Sequence, residues 1–330
     1  MSTRSAGLDE AVTSLSAGAR QWLARHAGFL DSPAGRAELP VTPRVKALLQ
    51  LALLCRYWEK AAPGDAGLGG PATLVERVWR QPEFPGLLTL DPRYARQFEL
   101  MYAGLAPAGT RSGAPRTLLA RLSADGYLAP RRKPPYLHLE ARFYADLAGA
   151  EHRFASYREL YADSLPARAG TLPAADLDVC VVTHTVFYLS DFGFRDPGLG
   201  EEAAERALRV VERLTDHCVR LGEWDLAGKL VLAQHCLGAD PLGTPSGAAA
   251  VRMLAEVQAP DGAIPGRSVV RRAAADATAV ERFRKSYQAT LVTALATLVV
   301  ADGRPGGLSV AGSSVAGSCV AGSCVAGEAR

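Results

Sequence analysis

The chain lacks any continuous apolar run long enough to cross a bilayer, and its opening residues, M-S-T-R-S-A-G-L-D-E-A-V, show no basic segment leading into an apolar one. Neither a membrane span nor a secretory leader is expected, which points to a cytoplasmic protein with no membrane partner. An excess of one charge is missing too: the formal net charge is +3 over 330 residues, with basic and acidic residues interspersed. That excludes the basic stripe of a nucleic-acid binder. Cysteine is sparse, with six in all and no C-x-x-C pair, so neither a disulfide framework nor a dithiol redox motif is expected. Cys55, Cys180, Cys218 and Cys236 sit in apolar helical patterns and read as buried free thiols. No P-loop, G-x-G-x-x-G, H-E-x-x-H or G-x-S-x-G occurs, which removes the common nucleotide, dinucleotide, zinc-protease and hydrolase classes.

What remains is a globular composition, 48% hydrophobic and 22% charged, sufficient for a sizeable core. Helical periodicity runs from about residue 8 to about residue 301, without a convincing stretch of period-two alternation, so the fold class is all-α. The spacing predicts helices over Leu8–Phe29, Thr42–Lys60, Ala72–Trp79, Pro92–Leu105, Pro115–Ala124 and Leu137–Ala148. Further helices are predicted over Tyr157–Tyr161, Asp176–Leu189, Gly200–Leu221, Asp225–Leu237, Ser246–Val257 and Ala275–Ala301. Thr42, Asp176, Asp225 and Ser246 fit N-caps, and Gly149, Gly193, Gly222 and Gly238 fit left-handed helix ends. No loop is long enough for a flexible linker, so residues 1–305 form one domain. From Ser309 the chain repeats V-A-G-S and close variants, with Cys319 and Cys324 inside the repeat; residues 306–330 carry too little apolar bulk to offset the entropy of ordering, and disorder is expected.

Short connections between strongly apolar helices suit antiparallel hairpins with buried inner members. Residues 253–266, M-L-A-E-V-Q-A-P-D-G-A-I-P-G, end a helix in a Q-x-x-D-G turn, and residues 118–128 repeat the A-D-G part. Here the chain resembles α/α-toroid proteins such as terpene cyclases and protein prenyltransferase β subunits. The resemblance implies an α/α toroid or an incomplete α/α barrel of helix hairpins. Asp261 can accept N–H groups of its own turn, Gly262 can supply positive φ, and Gln258 can bridge to a neighbouring helix end. More narrowly, H-T-V-F-Y-L-S-D-F-G at 184–193, W-D-L-A-G-K-L at 224–230 and Y-Q-A-T at 287–290 resemble an uncharacterised, largely actinobacterial, all-helical family associated with specialised-metabolite gene clusters. Its H-T-x-F-x-x-T-D-F-G, D-L-x-x-E-L and Y-H-T-T pattern would place Thr, Glu and His where this chain has Ser190, Lys229 and Gln288.

His184, Tyr188 and Asp191 fall at i, i+4 and i+7 of one helix face, which offers an imidazole and a carboxylate for acid/base chemistry. Seven residues of helix rise roughly 10 Å, so a shared ligand or third residue must join the two ends. The structural alternative is a core histidine bonded to a carbonyl, with Asp191 capping the D-F-G turn. Glu140, in an apolar helix beside Arg142, is either a ligand contact or a residue on a half-buried face. Trp224, Asp225 and Tyr287 are candidate substrate contacts, against helix capping for Asp225 and plain core packing for the two aromatics. Lys229 is expected to snorkel to solvent. Asp176 and Asp178 share only part of the D-x-D-D acid of class II terpene cyclases, since Val179 occupies its last position. His184, Asp191, His217, Cys218, His235 and Cys236 include the zinc ligand types, but adjacent pairs diverge on a helix, so no metal and no cofactor are expected.

These residues point to a tailoring enzyme of bacterial specialised metabolism doing cofactor-free acid/base chemistry on a small, largely apolar intermediate in a central helical cavity. His184, Asp191 and Tyr188 are the catalytic candidates; Glu140, Trp224, Asp225 and Tyr287 are the substrate contacts. A non-catalytic scaffold for a biosynthetic partner enzyme or peptide is the first alternative. A metal-dependent enzyme is the second.

Overall fold

A computed structural model describes residues 3–267 and 277–302, and within them the chain is helical, with no strand. The helices are α1 (Thr3–His26), α2 (Pro33–Glu38), α3 (Val41–Ala61), α4 (Gly69–Arg80), α5 (Phe84–Leu87), α6 (Ala95–Gly104), α7 (Ala114–Ala124) and α8 (Pro135–Ala148). They continue as α9 (Tyr157–Ala162), α10 (Leu165–Arg168), α11 (Val179–Leu189), α12 (Glu201–Arg220), α13 (Trp224–Cys236), α14 (Pro245–Val257) and α15 (Ala279–Asp302). The expected repeat tail, with Cys319 and Cys324, and the first residues of the helix expected from Ala275 lie outside the described residues. No described helix is long and apolar enough to cross a membrane.

Three short helices escape periodicity: α2, α5 and α10 each carry proline in the first turn, at Pro33, Pro85 and Pro166. Proline there reads as loop punctuation, although its fixed φ also suits a helix start. All four expected caps move, Asp225 into the first turn of α13 behind Glu223. Pro40 rather than Thr42 precedes α3. Thr244 caps α14 by accepting the Gly247 N–H, with Pro245 at the first helical position. Asp176 ends a 3-10 turn, and Asp178 caps α11 through the N–H groups of Cys180 and Val181.

Amphipathic and fully buried helices divide the labour. In α12 the buried residues Ala207, Val210, Val211, Leu214, Thr215 and Cys218 make one apolar stripe, opposite a face of Glu and Arg. By contrast α3 buries Leu48, Leu49, Leu51, Ala52, Leu53, Leu54, Tyr57 and Trp58 around much of its circumference. Helix α3 packs on α15, α15 on α13, α13 on α11, α11 on α8, and α8 on α6, which in turn meets α3. Other helices flank this set: α1 lies against α15, α14 and α4, α12 against α13 and α14, and α7 against α6.

The Q-x-x-D-G turn makes the bonds expected of it, at a different place on its neighbour. Asp261 accepts the Ala263 N–H (3.0 Å), and the Gln258 amide donates to Gly262 O (3.1 Å) and to Leu15 O (3.2 Å) in the middle of α1 rather than at a helix end. Gly262 has φ +94°, and a Cβ there would lie 2.1 Å from the Gly18 carbonyl oxygen. Gly262→Ala is therefore expected to cost at least about 2 kcal/mol in urea denaturation. At Gly149, which is left-handed at φ +64° but faces open space, the same change should cost only about 1–2 kcal/mol.

Candidate functional site

Helix α11 reads V-C-V-V-T-H-T-V-F-Y-L, rich in β-branched residues that are indifferent helix formers, and none of its residues is exposed. Burial between α8 and α13 therefore holds it helical, and its polar atoms must find partners inside the protein. Thr183 and Thr185 donate to the carbonyls of Val179 and Val181, both at 2.8 Å. The Tyr188 hydroxyl donates to Glu140 Oε1 on α8 at 2.8 Å, and Gln97 Nε2 on α6 donates to Glu140 Oε2 at 2.5 Å.

Glu140 is 8% exposed and lines a cavity of about 230 Å³ together with Gln97, Tyr127, Lys133 and Tyr144. No cation lies within ion-pair distance of it among the described residues. The contrast is Glu99, fully buried two residues after Gln97 on α6, which pairs with both Arg96 and Arg121. Burial pushes the Glu140 carboxyl above its usual range, while the bonds from Tyr188 and Gln97 and the more distant charges of Lys46 and Lys133 oppose this. Burial likewise raises the Tyr188 and Tyr144 phenols.

His184 sits one turn before Tyr188, with ring centroids 6.0 Å apart, so that part of the expected face is present. Its ring makes no hydrogen bond among the described residues. Burial, followed by the ammonium groups of Lys229 and Lys46, pulls its pKa down to about 3, with Asp178 acting weakly the other way. The imidazole is therefore neutral near pH 7, which corrects the expectation of a group titrating there. Lys229 does not snorkel away: its Nζ donates to Cys180 Sγ on α11 at 3.2 Å, one turn before His184.

Asp191 does not share that face. The helix ends at Leu189, and Asp191, Phe192 and Gly193 all take positive φ, at 48°, 57° and 93°. The reversal carries the Asp191 carboxylate to α3, where it accepts from the Tyr57 hydroxyl (2.5 Å) and Lys60 Nζ (2.9 Å). Two non-glycine residues in the left-handed region cost about 1–2 kcal/mol each. Phe192 offsets this by packing on Tyr57, Phe143, Phe187 and Tyr188. Asp191 thus fastens a turn to α3, and its partners are disjoint from those of His184. Lys60 also lines a separate cavity of about 430 Å³ with Cys55, Arg56 and Arg111.

The other candidates scatter. Tyr287 donates to Ala47 O (2.9 Å) on the wall of a cavity of about 180 Å³ that also includes Lys46, Gln50 and Gln288. Trp224 donates to Pro265 O (2.7 Å), and Asp225 stands in the first turn of α13, next to the Glu223 cap position. Among the described residues no group of three or more His, Cys, Asp and Glu is placed to hold a metal ion. Sequence reasoning missed Lys46, Gln97 and Lys133, whose solvent-type residues carry no periodic signal.

A family model described as Domain of unknown function (DUF6895) matches residues 16–298. The chain belongs to the DUF6895 family. No curated protein and no solved structure matches it. Lys46, Gln97, Lys133, Glu140, His184, Tyr188 and Lys229 all lie inside the DUF6895 match.

The His184 environment has a pH signature. Its folded pKa of about 3 lies below the ordinary 6.5, so between these values the unfolded chain binds the extra proton and acid favours unfolding. Stability from this group is complete above about pH 6.5 and is lost as the pH falls towards 3. From pH 6.5 to pH 5 the DUF6895 protein should lose about 1–2 kcal/mol more than its His184→Gln variant, measured by urea denaturation at each pH.

Proposed function

We propose that this DUF6895 protein is a cofactor-free acid/base enzyme acting on a small organic molecule, with Glu140 as the proton-transfer group and Tyr188 as its hydrogen-bonded partner. The observation that carries this reading is the Glu140 carboxyl itself: buried on a cavity wall, bonded by two neutral donors, with no cation in contact among the described residues. A carboxyl whose pKa is raised by burial is poised to give or take a proton nearer neutrality than a surface one. Each carboxyl oxygen accepts one hydrogen bond and keeps a lone pair for a substrate proton. Tyr188 holds the orientation, and neutral His184 beside it serves as a hydrogen-bonding group to substrate. Asp191, with both oxygens engaged on α3, is left as a positioning element for the turn after α11.

The order of helix neighbours supports a toroidal reading of the fold. Helices α3, α15, α13, α11, α8 and α6 contact one another in turn and return to α3, and other helices flank them, as in a ring of inner helices wrapped by outer ones. Lys46, Gln97, Glu140, His184 and Lys229 come from five of these six, which suits a site at the middle of such a ring. Bacterial specialised metabolism as the setting rests on the motif resemblance around His184.

A chromosomal Glu140→Gln replacement tests the enzymatic reading by comparative metabolite profiling. The isosteric variant should fold with a melting temperature equal to or above the parent's, because it removes a buried ionisable group. Its host should accumulate a substrate that the parent strain consumes, with turnover down at least about 100-fold. Unchanged metabolites in both strains would count against an enzyme and for a scaffold that holds a biosynthetic partner.

A further inference from the structure

Arginine keeps its charge wherever a protein places it, so a buried guanidinium needs a partner of opposite charge. Arg44, in the first turn of α3, is the only buried arginine among the described residues, at 8% exposed. Its one hydrogen bond among them runs from Nη1 to Leu30 O (3.2 Å), and its Nε is buried without an acceptor. The Nε and Nη2 edge of the fork is thus unoccupied. No carboxylate among the described residues lies within ion-pair distance of the group, and a cation in the first turn of a helix also stands against the peptide dipoles, which favour an anion there.

The acids on the elements around Arg44 are engaged elsewhere. Asp31, next to Leu30, takes Arg36, Arg77 and Gln81. Glu38, next to Leu39, accepts from the Thr278 hydroxyl (2.6 Å), and Glu281 on α15 pairs with Lys285 (2.8 Å). Arg44 lines the cavity of about 180 Å³ between α3 and α15, and no acidic residue is on its described wall. Lys46 and Arg284 stand exposed at its rim, and Gln50 and Gln288 add amide donors. Leu30, Leu39 and Phe283 make much of the remaining wall apolar. None of these residues lines the Glu140 cavity.

We propose that this cavity is a second ligand site, which takes the carboxylate of a small organic acid on Arg44 and its short apolar body against Leu30, Leu39 and Phe283. A carboxylate matches the planar fork of one guanidinium and brings the single negative charge that Arg44 lacks. A phosphate dianion would set a second charge against apolar walls. The volume equals that of about six waters at ~30 Å³ each, which limits the ligand to an acid of a few carbons. The site stands apart from the proton-transfer reading of Glu140 and does not depend on it.

Isovalerate and benzoate are the probes, titrated calorimetrically into the full-length protein at an ionic strength fixed with sodium chloride. Isovaleramide and benzamide are their neutral isosteres, and inorganic phosphate is the competing oxyanion. At least one of the acids should bind saturably and raise the melting temperature, with its amide and phosphate at least about ten-fold weaker. Arg44→Met should fold with a melting temperature at or above the parent's, because it removes an unpaired buried charge, and should bind the acid at least about ten-fold more weakly. Gln50→Glu, which keeps the shape of the wall and adds an acid to it, should weaken binding in the same way and carries the test if Arg44→Met does not fold. Arg209→Gln, on the exposed face of α12, should bind as the parent does. The proposal is overturned if neither acid binds, if the amide or phosphate binds as tightly, or if the folded Arg44 and Gln50 variants keep the parent's affinity. Glu140→Gln should leave acid binding unchanged, so the two sites are read separately.

Discussion

A helix with no exposed residue must account for every polar atom it carries, and α11 sets the terms for everything around it. Its threonines turn their hydroxyls back on their own backbone, Asp178 closes its first turn, and Ser190 closes its last by accepting the Gly193 N–H. Tyr188 cannot be satisfied within the helix and reaches across to α8. After this accounting one polar side chain on α11 is left without a hydrogen bond among the described residues, His184. In a segment where every other polar group is matched, the unmatched one is the group with capacity to spare for a ligand.

The two buried glutamates show how environment separates structural from chemical roles. Glu99 is closed off by two arginines that reach solvent, and only loss of both would leave its carboxylate as an uncompensated buried charge. Glu140 meets only neutral donors, so protonation relieves its burial at little structural cost. The lysines that influence it stand off at longer range, enough to restrain its pKa without fixing its charge. Two buried residues of the same type are told apart by what faces them.

Much of the helical frame was legible in the sequence because burial imposes a period, and a period survives without knowledge of neighbours. The boundaries of α8 and α12, the end of α11 and the left-handed ends at Gly149, Gly222 and Gly238 follow from that and from turn chemistry. The site was legible only where a polar residue interrupts an apolar run, as His184 does. Asp191 misled because the period was carried past Ser190, whereas the S-D-F-G cap ends the helix and turns the carboxylate to α3. Lys46 sits on the solvent face that R-V-K-A-L-L suggests for an amphipathic helix, and that its charge bears on His184 follows only from tertiary packing. Glu140 was noticed as a charge in an apolar helix, but its distinguishing feature, the lack of a cation, is a tertiary property.

His184 and Glu140 are pushed in opposite directions by the same force. Burial disfavours the charged form of each, so the imidazole loses its proton more easily and the carboxyl keeps its own more tightly. Lysine charge then deepens the shift at His184 and moderates it at Glu140. Both groups are held nearer neutrality than in water, one as a ready hydrogen-bonding base and the other as a carboxyl that keeps its proton longer, and that follows from burial before any ligand is considered.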